Sequence, residues 1–579
     1  MTPDFEEKQS GFAGVLLWIF AGTVLFMFLG LHAFWGVEGR WAETAREMLL
    51  TGEYFRTVFN FKALPYQPLL SYWQQIPFIH LLGVEEFAVR IPGVLTALAG
   101  LAGTFILARK IFDRTTAVLS SWFLLSTYGF LFWSRTVSAE ITGMAFAVLG
   151  IAWFVCAEKK FAWIKYPVFY LLLLIGASAK GFQFIFVPVL FLIPHLFSEK
   201  KWRSCINAAH VISLLSGFLL FLLPFFLAEL EDCGSFLPAF KNFLKPEVLC
   251  KIFSFCGGRT AFFSCLSNLP RLLLPWTPFF IFALIAAVKN RQSLDRRYFE
   301  FLTGILLLII FFTVNPPQRW YFILPLVPFC CIFTASMLCR EDVDPLFGYL
   351  TVFMRWVVVL TASLAFAAPV MLPVFQMMFK QLPPVMIVLA LPLAGLTALI
   401  VCIMDNEPGN KIEYLAGIPH PLVSTVLGTA ILSATVFCVI RPGMTVYRTG
   451  KPFIKSLEPH LSGVSPENVV FYGTDDIAEF QFYLNRKHPA KLLETGKLKS
   501  FLKRVPGEKT AVFCYTRSAA YESLIQELTA AGIAPAALKP ARLEPGNGGK
   551  KWALFFFEVP SVQKSAGEKK VQQNTLNIK

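Results

Sequence analysis

The chain has 579 residues, of which 56% are hydrophobic, with a mean hydropathy of +0.59 and a formal net charge of +15. This composition excludes an ordinary soluble protein, because repeated apolar runs near twenty residues indicate membrane-spanning helices. The excess of Lys and Arg does not indicate nucleic-acid binding. These residues lie largely in short loops between apolar runs, which is typical of cytoplasmic loops in membrane proteins.

Thirteen apolar segments predict a mostly α-helical, polytopic membrane protein. The first ten residues lack the basic region of a signal peptide, so the first segment is predicted to be a retained helix. The predicted spans lie near 11–35, 86–108, 115–133, 140–157, 166–179, 182–198, 207–228, 270–288, 298–314, 320–338, 347–371, 384–404 and 421–440.

The loop charges predict the orientation of these spans. Cations are concentrated after the second, fourth, sixth and eighth spans, as in Arg109-Lys110, Lys159-Lys160, Lys200-Lys201 and Arg296-Arg297. Basic loops stay in the cytoplasm, so the N-terminus is predicted there too. An odd number of spans then places the residues after 440 outside. In a bacterium, this means a multi-pass inner-membrane protein with a periplasmic C-terminal domain.

The C-terminal part changes character after about residue 440. Three short runs rich in aromatic and β-branched residues, at 469–473, 510–515 and 552–558, are predicted strands. Helical patterns near 476–484 and 521–531 alternate with them, which predicts a small α/β domain. The predicted organisation is a transmembrane domain at 1–440, an extracytoplasmic α/β domain at 441–561 and a disordered, polar tail at 562–579.

Several charged residues on the predicted outer side need an explanation, because short outer loops usually avoid cations. A negatively charged ligand at the outer leaflet would supply one. Arg90 and Arg271 are interpreted as structural, and Glu43 and Arg46 as a pair on one helix. The candidate ligand-binding set is Glu38, Arg40, Lys62, Arg135, Glu140, Lys180 and Arg319. The ordinary alternatives are the ion pairs Glu38–Arg40 and Arg135–Glu140, a snorkelling Lys180 and an interfacial anchor at Arg319.

A lipid-linked sugar phosphate would fit this set of residues. Such a ligand needs an apolar groove for its tail and cations for its phosphate, and Arg makes bidentate phosphate contacts. Positive charge also stabilises a departing phosphate. A hydroxyl acceptor needs a general base, usually Asp or Glu, whereas a phosphate acceptor needs none.

The His and Cys residues do not predict a metal site. Their spacing matches no metal-binding pattern, so no metal or other cofactor is predicted, although a divalent metal would be compatible with the chemistry. Four cysteines fall in one predicted outer loop at 229–269, where disulfides and free thiols are both open alternatives. They are Cys233, Cys250, Cys256 and Cys265.

Seven short motifs follow one another between residues 11 and 340. They are Glu38-Gly-Arg-Trp-Ala-Glu, Pro68-Leu-Leu-Ser-Tyr-Trp, Glu86-Phe-Ala-Val-Arg-Ile-Pro-Gly, Ser134-Arg-Thr-Val-Ser-Ala-Glu, Ala179-Lys-Gly, Leu274-Pro-Trp-Thr and Gln318-Arg-Trp-Tyr. With these motifs the chain resembles the GT-C membrane glycosyltransferases of the aminoarabinose transferase and protein O-mannosyltransferase group. The first two are similar to the family's Asp-Glu-x-Arg-Tyr-Ala-Glu and Lys-Pro-Pro-Leu-x-Tyr-Trp segments.

The resemblance implies transfer of a glycosyl group from a polyprenyl-phosphate-linked sugar on the outer face of the inner membrane. The implied acceptor is a lipid A-like lipid, a glycan or a protein. Glu38 and Glu140 are the implied catalytic residues. The implied ligands of the donor phosphate are Arg40, Lys62, Arg135, Lys180 and Arg319.

The chain departs from the family pattern at three positions. The leading acid falls at Val37, the phosphate-binding Lys at Gln67 and the Glu before it at Tyr66. These departures leave a non-catalytic polyprenyl-phosphate-binding protein open as an alternative, together with a lipid or sugar transporter. The clustering of charges at one interface and the absence of an internal repeat favour the enzyme, since transporters commonly contain repeats and midplane charges.

Overall fold

The computed structural model describes most of the chain. The described residues are 3–34, 36–64, 66–158, 160–198, 202–203, 206–253, 264–314, 319–340, 345–379, 385–404, 422–445, 451–461, 463–475, 477–505, 507–515, 519–531, 541–542 and 552–558. The predicted tail at 562–579 and Cys256 therefore lie outside them.

The N-terminal half is almost entirely helical. Its helices are α1 (Pro3–Phe26), α2 (Glu38–Thr51), α3 (Leu70–Trp73), α4 (Ile76–Leu82), α5 (Glu86–Ile111), α6 (Arg114–Ser126), α7 (Tyr128–Ser134), α8 (Glu140–Cys156), α9 (Ala162–Lys180), α10 (Phe186–Ser198), α11 (Ala208–Cys233), α12 (Phe236–Phe243) and α13 (Pro246–Ile252). One hairpin interrupts them, formed by β1 (Thr57–Phe59) and β2 (Lys62–Leu64), which pair antiparallel.

The C-terminal half continues with helices before strands appear. The helices are α14 (Ser264–Leu273), α15 (Thr277–Lys289), α16 (Arg296–Val314), α17 (Leu326–Leu338), α18 (Pro345–Phe366), α19 (Leu372–Phe379), α20 (Val385–Met404), α21 (Leu422–Thr435), α22 (Arg441–Thr445), α23 (Lys451–Leu461), α24 (Ala478–Tyr483), α25 (Leu498–Leu502) and α26 (Ala519–Ala530). A π-helical turn at Val436–Ile440 joins α21 to α22.

The helices confirm the predicted fold class of a polytopic, mostly α-helical protein. Within the described residues, seven helices are long and apolar enough to cross a membrane, and two bent pairs raise this number to nine. Four shorter apolar helices of 10–17 residues bring the number of apolar segments to the thirteen that the sequence predicts. The count of thirteen spans stays a prediction, because a straight crossing takes about 20 residues.

One bent pair consists of α6 and α7, and α7 leads to the junction with α8. The two helices meet at an angle of 65°. Thr127 between them is extended, and its side chain accepts a hydrogen bond from the backbone N–H of Phe130. This is an N-cap, which ends one helix and starts the next. The apolar core lies around these helices, where the rings of Phe123 and Trp276 are 4.4 Å apart.

Contacts in the structure join residues within each of the two predicted loop sets. Among residues predicted outside, Arg441 donates to Thr136 Oγ1 at 3.0 Å. Among residues predicted inside, His195 lies 2.6 Å from Glu158 and 3.0 Å from Glu300. This grouping agrees with the alternation of loops, while the orientation of the bundle relative to the cytoplasm stays a prediction.

The C-terminal residues form a sheet with helices, as the alternating pattern predicts. Its strands are β3 (Val469–Tyr472), β4 (Lys491–Leu493), β5 (Lys509–Tyr515), β6 (Ala541–Arg542) and β7 (Trp552–Glu558). Their order is β4-β3-β5-β7-β6, with β3 parallel to both neighbours and β7 antiparallel to both of its own. The sequence missed β4 and β6, which are too short to show a pattern. The predicted domain boundaries stay predictions.

The sheet domain is fixed on α2 and on the hairpin. Arg46 donates to Asn485 Oδ1 at 3.1 Å, and Asn60 exchanges two hydrogen bonds with the backbone of Ala490. A Cβ atom at Gly39 would lie only 3.0 Å from Cγ of Glu479, so glycine permits this close approach. The first loop and the C-terminal domain therefore form one assembly at the same end of the bundle.

Candidate active site

A cavity of about 290 Å³ lies where α2, the hairpin, the α7–α8 junction and the end of α9 meet. Four of the seven residues predicted from the sequence line it: Arg40, Glu140, Lys180 and Arg319. Aromatic and hydroxyl side chains complete much of the wall, including Trp41, Thr44, Tyr72, Trp133, Ser138 and Tyr321. The structure thus brings together charges that lie up to 279 residues apart in the chain, between Arg40 and Arg319.

The helical period of α2 decides which of its residues face the cavity. Val37, Arg40, Trp41 and Thr44 line it, and their spacing of three and four residues defines one helix face. The guanidinium carbon of Arg40 lies 4.8 Å from the centre of the Phe59 ring on β1. This contact holds the charge at the wall formed by the hairpin, consistent with a cation–π interaction.

Glu140 and Lys180 form a buried ion pair in the cavity wall. Glu140 begins α8 and Lys180 ends α9, and the Lys180 ammonium donates to Glu140 Oε1. Each charge lies at the helix end that favours it. The Lys180 Nζ atom also lies 3.7 Å from the centre of the Phe322 ring. A Cβ atom at Gly143 would come within 2.8 Å of the Phe184 ring, so glycine permits this approach.

Arg319 supplies the third cation of the cavity from a distant part of the chain. It precedes the 3-10 turn Trp320–Ile323 and is exposed. The turn places Tyr321 beside Trp133, with ring centres 4.1 Å apart. Three cations and one carboxylate therefore lie among the described residues of the wall, and the carboxylate is already bonded to a cation.

Glu38 lies outside the cavity, on another face of α2. Its carboxylate forms a two-point ion pair with Arg90, at 3.0 and 3.1 Å, and both side chains are 0% exposed. It also accepts a 2.8 Å hydrogen bond from the backbone N–H of Val137. Arg90 donates in turn to the carbonyls of Leu29 and His32. Glu38 thus joins the end of the first span, α5 and the α7–α8 junction.

Arg135 also lies away from the cavity. Its guanidinium donates to the carbonyls of Val24, Leu25 and Met27 at 2.5, 3.0 and 2.7 Å. These carbonyls belong to the C-terminal end of α1, where backbone acceptors lack helical partners. Arg135 therefore caps α1 in the structure. The sequence did not predict this contact, because Arg135 is far from α1 along the chain.

Lys62 is exposed on β2, where its backbone pairs with Phe59. It does not belong to the cavity wall, although Leu64 two residues further along the strand does. The predicted pair Glu43 and Arg46 is present, with a 2.6 Å contact between buried side chains. Arg46 is thereby engaged with Glu43 and with the C-terminal domain.

Two of the three departures from the family pattern lie in the cavity wall itself. Val37 and Gln67 both line the cavity, so an apolar and a neutral side chain stand there. The third position, Tyr66, points elsewhere and donates a hydrogen bond to Glu229 on α11. The charge of the wall therefore comes from the other residues described above.

A second opening, which the sequence did not reveal, is an apolar groove of about 910 Å³. It is lined by α18, α20, α21 and the turns that follow α21, together with Tyr128 and Phe132. Of its described lining residues, Arg441 alone is charged, and its guanidinium carbon lies 4.1 Å from the centre of the Phe132 ring. The one feature of the sequence that could have indicated this groove is Arg441, a cation at the predicted outer end of the last span.

An aromatic wall separates the cavity from the groove. Trp133 and Tyr321 line the cavity, whereas Tyr128 and Phe132 line the groove. The Trp320 ring lies between them, 6.3 Å from Trp133 and 6.4 Å from Tyr128. Ligands in the two openings would therefore approach one another from opposite sides of these rings.

One titratable group beside the site is strongly perturbed. Burial, followed by the nearby charge of Glu43, raises the pKa of Glu47 on α2 to about 9. One of its oxygens accepts a 3.0 Å hydrogen bond from the backbone N–H of Phe61. The raised pKa favours the protonated form of Glu47 at neutral pH.

The described residues contain no group of three or more His, Cys, Asp or Glu side chains arranged to hold a metal ion. Of the four cysteines in the predicted outer loop, Cys233, Cys250 and Cys265 carry no disulfide in the structure. Cys265 is buried within the helical bundle.

Comparison with known proteins gives a consistent result. The family model described as dolichyl-phosphate-mannose-protein mannosyltransferase matches residues 66–227. An undecaprenyl phosphate-alpha-4-amino-4-deoxy-L-arabinose arabinosyl transferase of Edwardsiella ictaluri is 28% identical over 187 residues, 31% of this chain and 34% of that protein. An uncharacterised protein of Aquifex aeolicus is 26% identical over 351 residues, 58% of this chain and 66% of that protein. The match thus spans about a third of the arabinosyl transferase.

The similarity in structure extends over almost the whole chain. The crystal structure of ArnT from Cupriavidus metallidurans bound to undecaprenyl phosphate superposes with a TM-score of 0.67 at 16% identity. The alignment covers 94% of this chain and 97% of that one. The chain therefore has the fold of the GT-C membrane glycosyltransferases. This shared fold, together with the family-model match and the partial matches to arabinosyl transferases, confirms the resemblance drawn from the seven motifs.

Proposed function

We propose that the chain transfers a glycosyl group from a polyprenyl-phosphate-linked sugar to an acceptor, with the reaction in the 290 Å³ cavity. The observation that carries this proposal is the convergence of Arg40, Lys180 and Arg319 around Glu140 in one cavity beside the membrane bundle. An anion with an attached polar ring fits such a cavity. The names of the relatives and the fold shared with ArnT support a polyprenyl phosphate as that anion.

The three cations have different roles in binding the donor phosphate and in stabilising it as it leaves. Arg40 and Arg319 are exposed and present guanidinium groups, which suit bidentate phosphate contacts. Lys180 is partly buried against Glu140 and Phe322 and acts as a fixed point charge. Negative charge accumulates on the phosphate as the sugar bond breaks, so preorganised cations stabilise the transition state more than the bound donor.

Glu140 is our candidate for the acceptor side of the reaction. It is the one carboxylate among the described residues of the cavity wall, so an acceptor hydroxyl would lose its proton to it. A phosphate acceptor is already a nucleophile, and Glu140 would then orient Lys180. Glu38 acts as a positioning residue in this proposal, because it holds Arg90 and the Val137 amide beside the cavity.

The apolar groove supports a lipid as the acceptor. Its size suits hydrocarbon chains, and Arg441 at its aromatic end can pair with a lipid phosphate. The groove lies across the aromatic wall from the cavity, so donor and acceptor would meet from opposite sides. We also propose that this end faces the periplasm, because the basic loops lie among the residues predicted on the other side.

A second candidate function is binding of a polyprenyl phosphate without transfer. Val37 and Gln67 favour it, since neither supplies a charge to the cavity. The two candidates differ in turnover and agree on phosphate binding, so an experiment must measure both.

The test uses the purified protein with undecaprenyl phosphate and its sugar-bearing derivatives. We expect Arg319→Gln to weaken undecaprenyl phosphate binding by about 10–100-fold, because a charge-assisted hydrogen bond contributes about 1.5–3 kcal/mol. Arg504→Gln is the matched control, an exposed arginine of the C-terminal domain outside the cavity. Equal binding by the two variants would contradict the proposed phosphate site. Binding with no transfer to any lipid, glycan or protein acceptor would favour the non-catalytic candidate.

A further inference from the structure

We propose that the cavity selects a neutral, hydroxyl-bearing monosaccharide and rejects an amino sugar that carries a positive charge. This inference rests on the proposed function, since it concerns the sugar of the same donor. It departs from the arabinosyl transferase relatives, whose names specify a 4-amino-4-deoxy sugar.

The charge of the cavity is the first argument. Among its described lining residues, three cations face one carboxylate, and Lys180 already bonds that carboxylate. The phosphodiester of a polyprenyl-phosphate sugar carries a single negative charge, which leaves an excess of positive charge around the sugar. An ammonium group there would meet like charges without a carboxylate to pair with it, which disfavours that substrate.

The hydrogen-bonding groups of the wall are the second argument. Trp133 and Ser138 line the cavity and are 5% and 6% exposed. The Trp133 Nε1 and Ser138 Oγ atoms are buried, and neither has a hydrogen-bond partner within the described part of the chain. Leaving a buried polar atom unpaired costs about 1–3 kcal/mol, so a side-chain rotation that brings either atom to a partner on a bound sugar is favoured. A sugar hydroxyl can accept from an indole N–H, whereas an ammonium group has donors only.

The size of the cavity is the third argument. Its volume of about 290 Å³ lies at the small end of the range for ligand pockets, which is roughly 300–1,000 Å³. A single sugar ring with its phosphate fits that space better than an oligosaccharide. The stacked rings of Trp41 and Tyr72, 4.8 Å apart, form one rigid side of it.

Val37 offers a way to reverse the preference by a single substitution. It lies in the cavity wall and occupies the N-cap position of α2, with φ −90° and ψ 0°. Asp and Asn are both favoured at N-caps, so either residue is compatible with the helix. Asp adds a carboxylate to the cavity, whereas Asn is of nearly the same size and remains neutral.

The experiment compares three undecaprenyl-phosphate sugars that differ only at C4: L-arabinose, 4-amino-4-deoxy-L-arabinose and its N-formyl derivative. Binding of each to the purified protein is measured at pH 7 by competition with sugar-free undecaprenyl phosphate. We expect arabinose to bind at least about tenfold more tightly than the amino sugar. The N-formyl sugar should recover part of the difference, because formylation removes the charge. Val37→Asp should raise amino-sugar affinity about tenfold relative to Val37→Asn.

The wall residues provide a second readout. Trp133→Phe should narrow the preference for arabinose over the amino sugar, because it removes a donor that only the hydroxyl can accept from. Ser138→Ala should narrow it less, since a serine hydroxyl can pair with either sugar, and Trp163→Phe, at an exposed residue on α9, should leave it unchanged. Tighter binding of the amino sugar by the unmutated protein would overturn the inference and leave the proposed function intact. Failure to bind sugar-free undecaprenyl phosphate would overturn the proposed function itself.

Discussion

Two of the buried ion pairs at one end of the bundle, Glu38–Arg90 and Glu140–Lys180, differ in their surroundings. Glu38 and Arg90 are both fully enclosed, and their hydrogen bonds go to each other and to backbone groups. Glu140 and Lys180 are also nearly buried, yet both line the cavity. The first pair joins segments of the fold, and the second is the one that we propose to interact with a ligand. Burial of an ion pair therefore does not by itself identify a catalytic group.

The largest expected effect comes from breaking the pair in the cavity. Glu140→Gln keeps the size of the side chain and removes its charge and basicity. With a hydroxyl acceptor we expect transfer to fall by about 10²–10⁴-fold, the usual contribution of general-base catalysis. The measurement is the transfer rate at saturating donor, together with binding of undecaprenyl phosphate, which should change little.

The matched variant in the enclosed pair is Glu38→Gln. It should affect transfer chiefly through stability, so the loss of activity should follow the loss of folded protein. Near-normal transfer by Glu140→Gln would remove general-base catalysis by this residue and favour a phosphate acceptor. A selective loss of turnover in correctly folded Glu38→Gln would make Glu38 the better candidate for the base.

The second-largest expected effect is a loss of stability, and it compares the same two ion pairs. Arg90→Met leaves the Glu38 carboxylate buried without its cation, and breaking such a pair destabilises a fold by about 3–5 kcal/mol. Lys180→Met leaves Glu140 at a cavity, where rearrangement and water can compensate, so its loss of stability should be smaller. Thermal unfolding of both variants in detergent checks this order. A larger loss of stability for Lys180→Met than for Arg90→Met would contradict the structural role assigned to the Glu38–Arg90 pair.

The sequence predicted much of the fold and part of the candidate site. Span positions follow from runs of apolar residues, which are local signals, and all thirteen predicted segments have an apolar helix in the structure. The site residues Arg40, Glu140, Lys180 and Arg319 follow from motifs at the ends of spans. Charge patterns and motifs identify such residues because the ends of successive spans meet at one interface of the bundle.

The sequence could not distinguish Glu38 and Arg135 from these four residues. The partner of Glu38 is 52 residues away, and the carbonyl partners of Arg135 are 108 to 111 residues away. Partners at this distance depend on how helices pack, and no local pattern reports it. Helical periodicity could have separated Glu38 from Arg40. The cavity-lining residues Val37, Arg40, Trp41 and Thr44 follow the helical period, whereas Glu38 does not.

The smallest predicted effect concerns Glu47, a third buried acid, which lies on the helix that carries Glu38 and Arg40. Burial and the neighbouring Glu43 raise the pKa of Glu47 from 4.5 to about 9 in the folded protein. Between these pH values the folded protein holds a proton that the unfolded chain has released. Stability should therefore fall as the pH rises from about 4.5 towards 9.

Glu47→Gln tests this effect because the amide imitates the protonated acid. Its side-chain oxygen can still accept from the Phe61 N–H, so the hydrogen bond that orders the hairpin turn is kept. We expect the variant to be more stable than the parent by about 1–3 kcal/mol at pH 7, since one pKa unit corresponds to about 1.4 kcal/mol. The gain should shrink towards pH 5. Unfolding temperatures measured in detergent from pH 5 to pH 9 check both trends, and a gain that does not vary with pH would show that Glu47 is ionised in the folded protein.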